Sequence, residues 1–380
     1  MLTRNRGKAG KATVDEAALR EAVAAVPDPE IHRGIGELEM LRSVTVGRGG
    51  AVHVEIALTT PACPLRDRLT ADVTSAATEV SGVSSVQVSF TSMTERERME
   101  LAGRLRGNTE GGGPANALGS RTAVYAVASG KGGVGKSSVA ANLAVALAAS
   151  GKRVGLIDAD VWGYSVPQLF GVRRNPVALK GLMLPVEAHG VRLMSVGFFV
   201  SEEEPVVWRG PMLHKALEQF LSDVHWGELD VLLLDLPPGT GDITLSLLEL
   251  LPQAALLAVT TPQPAARNVA SRVGRMAKDM RMPVAGVVEN MSTLHCASCG
   301  EHTAMFGSGG GQQLADELGT ELLAQIPLDV ALREAGDIGV PVVTGAPLAQ
   351  SAAAFTELAQ RLPVVRRSIA GLALPLSVVN

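Results

Sequence analysis

The chain has 380 residues, with 38 acidic and 34 basic side chains and a formal net charge of −4. This mild acidity argues against a general nucleic-acid binder, because such proteins usually carry a basic surface. A hydrophobic content of 46% excludes a globally disordered chain, and three cysteines are too few for a disulfide scaffold. The cysteine content and the lack of a secretory apolar run indicate a cytoplasmic protein. No apolar stretch is long enough to predict a membrane helix.

The first part of the chain predicts a basic flexible tail at 1–12 and a small α+β domain at 13–95. Thr13 and Glu16 have the spacing of a helix capping box. Alternation of apolar and polar residues predicts strands that are buried on one face. The predicted order is α-β-β-α-β, with strands near 52–58 and 86–90 and a helix at 67–80.

The second part has a different pattern. A linker is predicted at 96–121, because its second half is rich in glycine and small polar residues. From residue 122 to 365, apolar runs alternate with helical segments, and a tail follows at 366–380. Runs that are apolar on both faces are typical of parallel strands covered by helices, so this part predicts a doubly wound, mostly parallel α/β sheet. The runs are Ala123–Ala128, Val154–Asp158, Val231–Asp235, Ala255–Thr260, Val284–Val288 and Leu322–Ile326.

The most specific motif runs from Gly130 to Ser137 and matches G-x-x-x-x-G-K-[ST] between a predicted strand and a predicted helix. Glycines let backbone N–H groups surround a phosphate, and the following helix N-terminus favours negative charge. Lys136 is expected to neutralise the β- and γ-phosphates, and Ser137 is expected to ligate Mg²⁺. The predicted nucleotide contacts are Gly130, Lys131, Gly132, Gly133, Val134, Gly135, Lys136, Ser137 and Ser138.

Carboxylates follow two of the predicted strands. Asp158 and Asp160 come at the end of one, where side chains face the ligand crevice of an open α/β sheet. Asp160 is a candidate for orienting water or holding Mg²⁺, whereas Asp158 is also explained by a hydrogen bond to its own turn. Asp235 ends an apolar strand, as a Walker B carboxylate does, and is expected to hold the Mg²⁺ shell. The glycines that follow, Gly239 and Gly241, favour a loop whose N–H groups sense the γ-phosphate.

Asn290 follows another predicted strand. Its amide has both a donor and an acceptor, so it is able to read the edge of an adenine base. An asparagine that only satisfies a turn explains the same position.

A C-x-x-C pair, Cys296 and Cys299, is flanked by His295 and His302. Two thiolates at this spacing bind one metal ion or one cluster edge, and such sites usually need four ligands. Three interpretations remain open: a zinc site completed by histidine, a cluster held by two thiolates from each of two chains, and a redox pair. Cys63 lies in the first predicted domain, where a small buried hydrophobe is the simplest interpretation.

Several segments resemble the Mrp/ApbC-type iron–sulfur carrier P-loop ATPases, in order from residue 122 to about 360. They are ASGKGGVGKSSVAANLA, DADVWGYSVPQLFG, LLLDLPPGTGD, TTPQ and VVENMS with CASCG. The second lysine of the phosphate loop, Lys131, is similar to that of the deviant Walker A class of MinD and ParA. In the first domain, DPE at 28–30 and TTPACP at 59–64 resemble the SufT/PaaD-like assembly domain, and this resemblance implies the alternative that Cys63 is an assembly cysteine.

The resemblance implies a homodimer in which Lys131 reaches the nucleotide of the other subunit. It implies that Asp160 is the catalytic aspartate and that Asn290 contacts the base. It implies a slow Mg²⁺-dependent ATPase that holds a labile 4Fe-4S cluster between two chains at Cys296 and Cys299. The expected partners are apo iron–sulfur proteins and the cluster-assembly machinery.

Two other functions remain as alternatives. One is a MinD/ParA-type positioning ATPase, for which the basic and apolar C-terminal tail is a candidate membrane contact, although Pro375 interrupts it as a helix. The other is an NTPase with a structural zinc at the cysteine pair. No nucleic acid or membrane partner is expected.

Overall fold

The computed structural model describes most of the chain. Several sequence predictions lie outside the described residues, among them the tail at 1–12, Cys63, Gly241, Cys296 and the tail at 366–380. The described residues are 14–60, 65–106, 118, 121–160, 163–200, 210–239, 250–295 and 299–364.

By its internal contacts the chain divides into two compact units. The first unit comprises Met1–Asn108 together with Val177–Leu184, and the second comprises Thr109–Pro176 together with Pro185–Asn380. The chain therefore leaves the second unit once, contributes a short segment to the first, and returns.

The first unit begins with a helix that is capped by Asp15. The Asp15 carboxylate accepts hydrogen bonds from the N–H groups of Ala17 and Ala18, at 3.0 and 3.1 Å. The observed N-cap is thus Asp15 and Glu16 is the first helical residue, whereas Thr13 of the predicted capping box lies outside the described residues. The helices are α1 (Glu16–Ala24), α2 (Arg66–Thr78) and α3 (Glu95–Arg106).

A three-stranded sheet forms the centre of this unit. Its strands are β1 (Leu41–Val46), β2 (Ala51–Leu58) and β3 (Ser85–Ser92), with β2 in the middle. β1 is antiparallel to β2, whereas β3 is parallel to it. The register aligns apolar side chains across the sheet, and these pack with α1 and α2 into one buried cluster.

The remaining strands of the first unit form a hairpin. They are β6 (Val177–Leu179) and β7 (Leu182–Leu184), which pair antiparallel. Three leucines of this hairpin, Leu179, Leu182 and Leu184, are buried in the same cluster as α3. The predicted linker thus contains a packed helix in its first half, and its partner hairpin comes from a distant part of the chain.

The second unit is built on an eight-stranded sheet. Its order is β15-β12-β11-β4-β10-β5-β9-β8, and every pairing is parallel except that of β8 with β9. The predicted α/β class is therefore confirmed. The strands are β4 (Ala123–Ser129), β5 (Val154–Asp158), β8 (Val186–Ala188), β9 (Val191–Ser195), β10 (Val231–Asp235), β11 (Ala255–Thr260), β12 (Val284–Glu289) and β15 (Leu322–Gln325).

Helices cover this sheet, and the apolar helix α4 is the most buried of those described. The helix Lys136–Ala149 packs against Gln350–Arg361, and the helix Pro264–Asp279 packs against Gly310–Leu318. None of the described helices is long and apolar enough to cross a membrane. The helices are α4 (Lys136–Ala149), α5 (Val166–Leu169), α6 (Gly210–Ser222), α7 (Pro264–Asp279), α8 (Gly310–Leu318), α9 (Val330–Ile338), α10 (Val342–Gly345) and α11 (Gln350–Arg361).

The parallel register brings the chemically important strand ends together. Asp235 of β10 lies opposite Asp158 of β5 on one side and Val127 of β4 on the other. Because all three strands run in the same direction, the phosphate loop and both carboxylate segments leave the sheet at one edge.

Candidate nucleotide site and cysteine hairpin

The phosphate loop links β4 to α4. Gly133 and Gly135 both have φ near +78°, a conformation that side chains with a Cβ rarely adopt. At Gly135 a Cβ would also lie 2.2 Å from Asn290 Nδ2. Glycine at 135 is therefore required both by the backbone and by the close approach of Asn290.

A cavity of about 590 Å³ lies over this loop. The loop forms part of its lining, and the segments that follow β5 and β10 form another part. Its lining residues are Ser129, Lys131, Gly132, Gly133, Val134, Gly135, Lys136, Ser137, Ser138, Asp160, Gly163, Ser165, Pro237 and Pro238. Gly239 also belongs to the predicted nucleotide contacts. It directly follows Pro238 in the chain and has φ of +93°.

Lys136 lies against the carboxylates. Its Nζ is 2.5 Å from Asp235 Oδ1, 3.9 Å from Asp160 Oδ2 and 3.4 Å from Ser137 Oγ. Burial raises the pKa of Asp235, and the charge of Lys136 opposes that rise. Lys136 thus compensates a buried negative charge when no phosphate is present.

The arrangement fits a hydrated Mg²⁺. The second oxygen of Asp235, Oδ2, is buried and has no hydrogen-bond partner among the described residues. The hydroxyl of Ser137 and the carboxylates of Asp160 and Asp235 supply the oxygen ligands that Mg²⁺ prefers. An ion in this position would give the unpaired oxygen a partner, directly or through water.

Asp158 organises the segment after β5. Its Oδ1 accepts a hydrogen bond from Asp160 N at 3.1 Å, and its Oδ2 accepts from Ser195 Oγ at 3.0 Å and Val166 N at 3.3 Å. Burial and the nearby charge of Asp235 raise the pKa of Asp158 to about 8. Asp158 therefore bonds to its own turn, as the turn interpretation proposed, and also joins the start of α5 and the end of β9 beside the cavity.

A second cavity, of about 430 Å³, shares Gly135, Ser138 and Ser165 with the first. Asn290 lies in its wall and donates from Nδ2 to the carbonyl oxygen of Val134 at 2.9 Å. Its Oδ1 is buried without a partner among the described residues. This oxygen is therefore available to accept a hydrogen bond from a bound group.

Sequence reasoning missed most of the second cavity. Its other walls come from α5, from the residue after Asn290, from the segment after β15 and from α9. One sequence signal could have found these walls: the segment after β15 follows the end of a parallel strand and so lies at the same edge of the sheet as the phosphate loop. These walls include Gln168, Leu169, Met291, Pro327, Leu328, Asp329 and Leu332.

Lys131 is half-buried at the rim of the first cavity. Its Nζ lies 3.5 Å from Oε1 of Gln263, which precedes α7. Gln263 belongs to the TTPQ segment, to which sequence reasoning assigned no contact.

Two short strands, β13 (Leu294–His295) and β14 (His302–Thr303), pair antiparallel, and the cysteine pair falls between them in the sequence. His295 and His302 are opposite each other, and their ring centroids are 4.8 Å apart. Cys299 is exposed and free, whereas Cys296 lies outside the described residues. Within the described ranges, no group of three or more His, Cys, Asp and Glu side chains is arranged to hold a metal ion.

The hairpin is a direct extension of β12 beyond Asn290. Ser292 N donates to the carbonyl of Ile326 at 2.9 Å, and Leu328 N donates to the carbonyl of Thr293 at 2.8 Å. Leu294 forms a parallel bridge with Leu328. The segment that leads to the cysteines is therefore paired with a wall of the second cavity.

In the first unit, Asp28 of the DPE segment is buried. Its Oδ1 accepts hydrogen bonds from the N–H groups of Glu30 and Ile31, both at 2.9 Å. Burial raises the pKa of Asp28. These bonds give Asp28 a role in shaping the turn.

The fold and the loop together define a P-loop NTPase. Comparison with known proteins is more specific. A family model described as NUBPL iron-transfer P-loop NTPase matches residues 120–363, and one described as iron–sulfur cluster assembly protein matches residues 16–90. The chain belongs to this iron-transfer P-loop NTPase family, preceded by the assembly domain.

Whole-chain relatives agree with this assignment. The chain is 48% identical over 367 residues to the iron-sulfur cluster carrier protein of Mycobacterium tuberculosis, covering 95% of this chain and 96% of the relative. It is 40% identical to the protein of that name from Synechocystis, covering 91% and 96%. A nucleotide-binding protein from Archaeoglobus fulgidus, solved in complex with ADP, is 37% identical with a TM-score of 0.53 and covers 60% of this chain and 90% of its own.

Proposed function

We propose that this chain binds and slowly hydrolyses ATP as a homodimer and carries a bridging 4Fe-4S cluster for delivery to apo-proteins. The ATPase and the cluster-binding cysteines both belong to the second unit. The names of its relatives and the family match support the carrier role.

The observation that carries the proposal is the pair of connected cavities. The phosphate loop lines one, and Asn290, whose buried Oδ1 has no partner among the described residues, lines the other. An acceptor at this position suits the 6-amino group of adenine, whereas the 6-oxo group of guanine would place two acceptors together. This acceptor supports ATP as the nucleotide of the proposed reaction.

In hydrolysis, Lys136 exchanges its contact with Asp235 for the β- and γ-phosphates. Asp160, at the cavity wall, orients the attacking water, and Lys131 of each chain neutralises the nucleotide of the other. Mg²⁺ held by Ser137, Asp160 and Asp235 would neutralise charge on the phosphates. Loss of the γ-phosphate then removes the anion that drew Lys136 away from its carboxylates.

The cargo is a cluster whose four thiolates come from two chains. Each chain contributes Cys296 and Cys299, which satisfies the four-ligand requirement without a further cysteine. The pairing of Ser292–Leu294 with Ile326–Leu328 links the segment that leads to the cysteines to a wall of the second cavity. A nucleotide that moves this wall therefore changes the spacing of the two cysteine pairs.

The test is anaerobic reconstitution with iron and sulfide, read by visible absorbance and light-scattering mass. Wild type is compared with a Cys296→Ala/Cys299→Ala double variant and with Cys63→Ala as the matched control. We expect about one cluster per dimer in wild type and Cys63→Ala, and none in the double variant. Equal cluster content in wild type and the double variant would refute the bridging site.

A structural zinc is the second candidate, because His295 and His302 already face each other beside the cysteine pair. Metal analysis of aerobically purified protein separates the two. Zinc that is lost in a His295→Ala/His302→Ala variant favours the structural site, whereas iron retained in that variant favours the carrier.

A further inference from the structure

The hairpin of β6 and β7 links the nucleotide site to the first unit through the chain itself. Its strands lie in the first unit, whereas the residues before Val177 and after Leu184 belong to the second. The hairpin therefore lies within the sequence of the second unit but packs into the core of the first unit.

The hairpin is firmly held at its tip. Leu179, Leu182 and Leu184 are at most 3% exposed, and they share the buried cluster of α3. Lys180 and Gly181 form its two-residue turn with φ of +39° and +80°, the combination that a tight β-hairpin needs. Lys180 also forms an ion pair with Glu95, and its carbonyl accepts a hydrogen bond from Arg106 Nη2 at 3.3 Å.

The two flanks of the hairpin return to one carboxylate in the nucleotide site. On the leading side, Val166 N donates to Asp158 Oδ2 at 3.3 Å at the start of α5. On the trailing side, Ser195 Oγ donates to the same oxygen at 3.0 Å from the end of β9. Between these flanks, Arg174 Nη2 donates to the carbonyl of Glu187 at 3.3 Å and holds the two chain crossings together.

We infer that this hairpin is a strap that transmits the nucleotide state of the second unit to the first. Gly163 and Ser165, which precede α5, line the phosphate cavity, so a bound nucleotide contacts the leading flank directly. Both flanks are hydrogen-bonded to Asp158, and the leucines on either side of the hairpin turn are buried. A displacement at the cavity wall is therefore carried into the core of the first unit. This inference rests on the ATP binding proposed above.

The test is hydrogen exchange of the full-length chain, with and without Mg²⁺ and a non-hydrolysable ATP analogue. In wild type we expect the analogue to protect the phosphate loop and to change exchange in β6–β7 and β2 by about threefold or more. Two variants break the strap differently. Leu179→Ala/Leu182→Ala loosens its tip, and Gly-Gly-Ser insertions after Pro176 and after Leu184 slacken both flanks while leaving the packed residues intact.

Both variants are expected to keep loop protection and to lose the response of β2. Leu69→Ala, a buried change in α2 away from the strap, is the control that weakens the first unit but keeps the response. Loop protection in wild type with no response in β2 overturns the strap and leaves ATP binding intact. A response that persists with slack flanks also overturns it, and absence of loop protection refutes ATP binding and the strap together.

Discussion

The buried carboxylate of Asp158 accepts hydrogen bonds from several segments of the chain. It has no exposed surface, it accepts three hydrogen bonds, and it lies opposite Asp235 in the sheet. Two adjacent buried carboxylates disfavour full ionisation, because burial and mutual repulsion both act against the charged form. The protein therefore holds a proton here that an unfolded chain would release.

A pH dependence of stability follows for the nucleotide-free protein. Folding raises the pKa of Asp158 from 3.8 to about 8. The stability that this bound proton contributes is therefore fully present below pH 3.8 and is lost as the pH rises towards 8. Asp158→Asn should therefore flatten the fall in unfolding free energy between these limits, measured by urea denaturation without Mg²⁺. Asp230→Asn is the control, since Arg153 lowers the pKa of Asp230 to about 2 and its effect lies at lower pH. An unchanged slope in Asp158→Asn contradicts this account.

Asn290 is the second residue whose chemistry is testable by itself. Its free Oδ1 is expected to accept from the adenine amino group, a bond worth about 1.4 kcal/mol or tenfold in affinity. Asn290→Ala should therefore weaken ATP binding about tenfold. Binding of inosine triphosphate, which lacks the amino group, should change much less. Calorimetric titration with both nucleotides checks this, and equal losses for the two would show that Asn290 does not read the base.

At the scale of elements, the phosphate loop packs closely against helix α7. A Cβ on Gly130 would lie 2.3 Å from backbone atoms of Val269 and Ala270, whereas one on Gly132 would meet nothing within 4 Å. Backbone atoms of a packed helix do not move aside as a flexible side chain does. The absence of a side chain at Gly130 therefore allows the phosphate loop to pack directly against α7.

This contrast gives a matched pair of variants. Gly130→Ala should lower the unfolding free energy of the nucleotide-free protein by about 1–3 kcal/mol, the usual cost of overpacking. Gly132→Ala should change it much less, although both residues lie in the same loop. Thermal denaturation without nucleotide measures the difference, and equal melting temperatures for the two variants would contradict the packing argument.

Edge strands are the other element-scale feature. β15 ends one side of the large sheet, and its carbonyls at Leu322 and Leu323 accept hydrogen bonds from the guanidinium of Arg361 at 3.1 and 2.6 Å. A charged side chain bonded to an edge strand discourages pairing with another chain. α11 therefore protects the sheet with its last residue.

At the scale of the whole molecule, the proposed dimer is tested through Lys131. Its contact with Gln263 within the chain is long, at 3.5 Å, which leaves the side chain free to reach a second subunit. A cation supplied across an interface accelerates phosphoryl transfer by about 10³–10⁵-fold in related chemistry. Lys131→Ala should therefore bind ATP almost normally but hydrolyse it at least about a hundredfold more slowly. The exposed Lys152→Ala is the control, and a hydrolysis rate in Lys131→Ala equal to that of the control would refute the cross-dimer role.

Local sequence determined the class of fold and the phosphate site. The strands at 154–158, 231–235 and 255–260 are observed with the predicted bounds, because an apolar run covered on both faces is readable without its neighbours. The loop from Gly130 to Ser137 is readable for a similar reason, since its function depends on residues that are adjacent in the chain.

Only the tertiary structure decided the rest. β8 and β9 were missed, since both are short and each is interrupted by a charged residue, Glu187 or Arg192, so neither forms an apolar run. The wall at Pro327–Asp329 joins the second cavity through pairing with the segment after β12, which lies more than 30 residues earlier in the sequence. The hairpin at Val177–Leu184 belongs to the first unit, which no local pattern indicates. Contacts between distant segments depend on which apolar surfaces complete a core, and that is settled only when the whole chain packs.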